Sequence, residues 1–208
     1  MALPLRQVRL LLVLLTLLGM ASCNQSGDAV EGAKVKFDFE AFRRGILSHH
    51  AEQVITYLPQ NVSDYLAMLN AGGPPAAGTP GAPLGAPGVN LLLRTALDKK
   101  VAPALRAHLD LQLLLQRLAD RGLLDSREIR GLSLGRVEVR GERASAELYF
   151  RGNVLPLRLP FVKQDQVWKV DLLAMLPYAE LLMRLDRAVT GKTESQQVAQ
   201  LVEPLPLL

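Results

Sequence analysis

The chain has 208 residues, with 24 Lys and Arg against 20 Asp and Glu, a formal net charge of +4 and 49% hydrophobic residues. So small a charge gives no electrostatic footprint for nucleic acid, and none is expected as a partner. The single cysteine, Cys23, excludes an intramolecular disulfide, so the fold must hold by packing.

The N-terminus places Arg6 and Arg9 before the apolar run Leu10-Leu11-Leu12-Val13-Leu14-Leu15-Thr16-Leu17-Leu18-Gly19, followed by the small residues Ala21 and Ser22. Basic, apolar and small, in that order, is the pattern of a secretion signal. The apolar run spans about ten residues, roughly half of what a membrane-crossing helix needs. Met20-Ala21-Ser22-Cys23 resembles the lipobox of bacterial lipoproteins, with Met20 where Leu is usual. The resemblance implies that lipid is transferred to the Cys23 sulfur, that residues 1–22 are removed as a signal peptide, and that the remaining chain hangs from a membrane by its acyl chains. Removal takes Arg6 and Arg9 and no acidic residue, which lowers the formal charge from +4 to +2. Asn24 stands where Asp would favour inner-membrane retention, so the resemblance points to the outer membrane, facing the periplasm.

Residues 23–34 are small and polar and read as a lipidated tether. A single α+β domain is expected over 35–190. Phe39, Phe42, Ile46 and Leu47 give its first helix one apolar face. A second helix, Ala51–Leu58, stops at Pro59, and a third runs on to Leu69 with Ser63 or Asn61 as a possible cap. Residues 71–88 hold six glycines and five prolines and read as a flexible insertion. Helical patterning resumes at Leu91. Pro103 opens a leucine-rich helix, Leu105 to Leu118, with a broad face expected against a sheet.

The period then changes to two. Strands are predicted over 132–140, 144–150, 155–162 and 168–172, with turns at Gly141-Glu142, Arg151-Gly152-Asn153 and 163–166. Pro156 and Pro160 argue for an irregular or edge position of the third strand. Pro177 opens a last helix to Val189 with Leu181, Leu182 and Leu185 expected to face inward. Residues 191–208 read as a loosely held tail.

Helices followed by an antiparallel meander predict an α+β fold with helices on one sheet face. Leu155-Pro156-Leu157-Arg158-Leu159-Pro160-Phe161-Val162-Lys163 with Gln166-Val167-Trp168-Lys169-Val170-Asp171-Leu172 resembles the final hairpin of nuclear transport factor 2-like domains. Phe39-x-x-Phe42-Arg43-Arg44-Gly45-Ile46-Leu47-Ser48 and Ala51-Glu52-Gln53-Val54 resemble the opening helix pair. That resemblance implies a curved sheet of about four strands closing a cone with a pocket. The family includes isomerases, dehydratases and non-catalytic binding domains, so fold alone selects no function.

No CxxC, HExxH, phosphate-binding or dinucleotide-binding signature occurs, and neither a cofactor nor a metal is expected. His49 and His50 are adjacent and cannot share a helix face, which makes them poor joint ligands. His108 beside Asp110 is a possible acid–base pair if it faces a cavity. Tyr149, Arg158 and Asp171 are the polar strand residues that could line a pocket, and Trp168 reads as a core anchor. No catalytic role is assigned. The leading expectation is a membrane-tethered, non-catalytic accessory or binding lipoprotein of the cell envelope. The alternatives are an isomerase- or hydratase-like enzyme with a small lipophilic substrate in the cone, and a structural envelope protein that docks to a partner or dimerises through its sheet.

Overall fold

The computed structural model describes residues 28–71, 86–121 and 126–208. In chain order they form helices α1 (28–47), α2 (Ala51–Thr56), α3 (Gln60–Asn70), α4 (Pro87–Lys100), α5 (Pro103–Arg106), α6 (Leu111–Asp120) and α7 (Ser126–Gly131). Strands β1 (Leu132–Arg140), β2 (Arg143–Phe150), β3 (Asn153–Gln164) and β4 (Val167–Val170) follow, then a 3-10 turn (Leu173–Met175) and helices α8 (Leu176–Thr190) and α9 (Glu194–Val202). The α+β arrangement matches the sequence pattern.

Val35, Phe39 and Ile46 recur at helical spacing and are buried on one side of α1. The helix is already formed at residue 28, the first described residue, and not only from near Val35, so part of the expected tether is structured. Its polar groups have tertiary partners. Glu31 accepts hydrogen bonds from Lys163 Nζ and Trp168 Nε1, both at 2.9 Å. Asp38 accepts the backbone N–H of Trp168 at 2.8 Å. Gly32 is buried against Val137 of β1. These bonds pin α1 across the end of the β3–β4 hairpin and leave Trp168 fully buried. Phe39 meets Phe161 edge-on at 6.3 Å between ring centroids, an arrangement favoured by the ring quadrupoles.

The leucine-rich stretch is not one helix. α5 stops at Arg106, and Asp110 starts α6 by accepting the Leu113 N–H at 2.7 Å. α6 packs chiefly on α2 and α3 rather than broadly on the sheet.

The four strands pair antiparallel in the order β1-β2-β3-β4, with β1 and β4 as open edges. The sheet does not curl into a cone, and this corrects the resemblance to the nuclear transport factor 2-like fold. A cone needs a sheet long enough to bend back over its own helices. Here the last strand has four residues and pairs only with Phe161–Gln164 before the chain turns helical. The isomerase- or hydratase-like alternative drew its pocket from that cone, so the open sheet withdraws that support from it. Pro156 is accommodated in β3 because the β2–β3 register shifts between Glu147 and Tyr149, and β4 does not reach it.

A second, smaller core joins α4, α8 and α9 through Ala86, Val89, Met183, Val198 and Val202. Residues 86–88, expected within the flexible insertion, are therefore part of the folded body. The expected tail also folds. Thr193 and Gln196 make a capping box that opens α9, and the Leu208 N–H donates to the Lys100 carbonyl at 2.6 Å. α8 carries the largest departure from the sequence reading. Its inward side presents Glu180 and Met183, whereas Leu181, Leu182 and Leu185 are exposed. The cause is Glu180. Its carboxylate accepts the backbone N–H of Val89 at 3.0 Å, in the first turn of α4, where helix N–H groups have no intrahelical partner. Holding that carboxylate inward turns the leucines out.

Candidate functional site

Of the sequence-selected polar residues, Tyr149 and Arg158 share one side of the sheet, and His108 and Asp171 lie on other elements. His108 lies exposed just past α5. The Asp110 carboxylate beside it in sequence caps α6 by accepting the Leu113 N–H. Asp171 follows β4 and accepts the Ala174 N–H at 3.2 Å, opening the 3-10 turn. Cys23 lies outside the described residues.

Tyr149 and Arg158 belong to β2 and β3. Their burial alternates with that of Leu148 and Leu159, which places them on the side of the sheet away from the main core. Arg158 is held by Ser145, through Nε to Oγ at 3.2 Å and Nη2 to the carbonyl at 3.1 Å, and pairs with Glu138 at 3.2 Å. Its fork is satisfied by its own sheet. The Tyr149 ring lies over Gly135, where a side chain would collide with it. That close approach sits at the register shift of β1 against β2 between Leu134 and Val137. These are bonds that shape the sheet surface.

His49 adopts φ 57 in the tight turn between α1 and α2. With His50, Glu52, Gln112 and Gln116 it lines an open polar depression. Glu52 accepts a hydrogen bond from Gln112 at 3.3 Å. Among the described residues no three or more His, Cys, Asp or Glu side chains are grouped to hold a metal ion.

Two ionised clusters escaped the sequence reading. In the first, Lys34, then Lys163 and Trp168, hold the Glu31 carboxyl at about 2 through their hydrogen bonds. Lys163 also lies over the Trp168 ring, 5.7 Å from its centroid. Burial raises the Asp38 carboxyl above its usual range. In the second, Glu180 is only 2% exposed. Burial opposes its ionisation, but the Val89 N–H, Arg184 and the Gly88 N–H outweigh burial and hold it below the usual glutamate range. Arg184 Nε reaches it at 3.0 Å and Arg187 Nη2 at 3.8 Å. Gln197 closes the cluster, with its Oε1 accepting from Arg187 and its Nε2 donating to Asp186 and the Met183 carbonyl. The only local signal was the charged series Glu180, Arg184, Arg187 at helical spacing beside Met183. Both Glu180 oxygens and Gln197 Oε1 are engaged, and the cluster joins α4, α8 and α9, an arrangement suited to positioning helices.

No protein-family model, curated protein or solved structure matches this chain.

Proposed function

We propose that the chain is a membrane-tethered accessory lipoprotein of the bacterial cell envelope that acts by binding rather than by catalysis. The observation that carries the reading is the succession Arg6, Arg9, the leucine run and Met20-Ala21-Ser22-Cys23. The position of α1 supports it. Residues 23–27 alone separate the Cys23 sulfur from a helix that is already formed at residue 28. Five residues reach about 18 Å at full extension, so acyl chains on that sulfur would hold the folded body at the membrane surface. A non-catalytic role is supported by the employment of Arg158 and Asp171 in bonds that shape the fold. Asn24 favours the outer membrane, and no cofactor enters the proposal.

The test is the intact mass and membrane partitioning of the natively expressed protein, beside Cys23→Ser. The proposal expects a chain shortened by residues 1–22, carrying acyl mass and recovered with membranes. It expects the Cys23→Ser chain to remain unprocessed and without acyl mass. An unacylated, full-length wild-type chain would overturn it.

A further inference from the structure

The outer side of α8 carries Tyr178, Leu181, Leu182, Leu185 and Val189, exposed by 52, 53, 63, 54 and 86%. Offsets of three, four, seven and eleven residues from Tyr178 place all five on one side of the helix, along nearly its whole length. Polar residues beside this stripe are held within the chain. Arg184 binds Glu180, and Asp186 accepts from Gln197 at 2.7 Å.

We infer that this face packs against the same face of a second copy of the chain. Leucines repeating every three and four residues form a seam that meshes with a like seam, and a two-fold contact buries both stripes at once. The five residues expose about 600 Å² per copy, so a pair that covered them completely would bury about 1,200 Å², the lower end for stable interfaces. Because Arg184 and Asp186 already have partners, apposing two stripes strands no charge. A bilayer is the weaker occupant. Interfacial helices carry Lys and Arg along the polar rim, and here Arg184 is offset by Asp186. Segments outside the described residues supply little to cover the stripe once a signal is removed. Residues 72–85 hold one large apolar side chain, Leu84, and residues 122–125 hold two, Leu123 and Leu124. The inference rests on one part of the proposed function, the removal of residues 1–22, and not on acylation of Cys23. A shared membrane would only raise the local concentration of copies.

The test is oxidative cross-linking of the full chain in the cells that make it. Leu182→Cys places a thiol in the seam, Asp64→Cys places one on the exposed surface of α3, and wild type sets the background from Cys23. The inference expects a product of twice the chain mass for Leu182→Cys, several-fold above wild type and above Asp64→Cys. Adding Leu181→Glu and Leu185→Glu is expected to abolish it while the purified chain keeps its folded circular-dichroism signal, since both positions face solvent in one copy. Three outcomes would overturn the inference. One is a doubled product no stronger than that of Asp64→Cys. Another is a Leu182→Cys adduct of a different mass, which would identify another protein as occupant. The third is a Leu182→Cys thiol reached by a membrane-soluble maleimide but not by a water-soluble one, which would make the occupant a bilayer.

Discussion

Glu31 and Asp38 act on Trp168 with opposite consequences for acid stability. The folded Glu31 carboxyl is held at about 2 against an ordinary 4.5. A depressed folded value stabilises the fold fully above the ordinary value and loses that effect as pH falls toward the folded one. The difference in denaturation midpoint between wild type and Glu31→Gln is therefore expected to be constant above pH 4.5 and to shrink as pH falls toward about 2. Urea titrations of both proteins across that window check this, and a difference that grows on acidification would count against the Glu31 cluster. Asp38 runs the other way, because burial raises its carboxyl, its ionised form costs stability and protonation relieves that cost. Neither residue could be recognised from sequence as a partner of Trp168, since more than a hundred residues separate them in the chain.

Elements were legible where local periodicity sets burial. Ala144, Ala146 and Leu148 alternate into the core as their spacing implies, and Gly141 and Gly152 take the positive φ their turns require. Two features lay beyond local pattern. Sheet curvature depends on what packs above it, so a hairpin resembling a cone-forming family carried no information about closure. The rotation of α8 depends on a carboxylate meeting a helix start 91 residues away. An apolar stripe ordinarily marks the inward side, yet the unpartnered N–H groups of α4 bind Glu180 in place of leucine. The sheet offers its own test at Gly135, where Tyr149 leaves no room for a side chain. Gly135→Val is expected to cost about 1–3 kcal/mol. Because the nearest colliding atom belongs to that ring, Gly135→Val with Tyr149→Ala is expected to cost less than the sum of the single changes, in a double-mutant cycle read by urea denaturation. Strict additivity would place the strain elsewhere.

Over the whole molecule, the larger core joins α1–α3, α6 and the sheet, and the smaller core holds α8 and α9 against α4. α4 belongs to both, with Leu97 in the first and Val89 in the second. Glu180 bridges the smaller core polar group by polar group, and its setting leaves the apolar side of α8 facing out. Removing its charge is expected to loosen that junction without dissolving the sheet, by about 1.5–3 kcal/mol for a buried bond to an ionised group. The most direct measurement is residue-resolved amide hydrogen exchange of wild type and Glu180→Gln. In wild type, Gly88 and Val89 are expected to exchange slowly despite lying in the first turn of α4, where such groups ordinarily exchange freely. In Glu180→Gln those two amides and the body of α8 are expected to lose protection together, while β2 and β3 keep theirs. Fast exchange at Gly88 and Val89 in wild type, or unchanged protection of α8 in the variant, would contradict the claim that Glu180 sets the orientation of that helix.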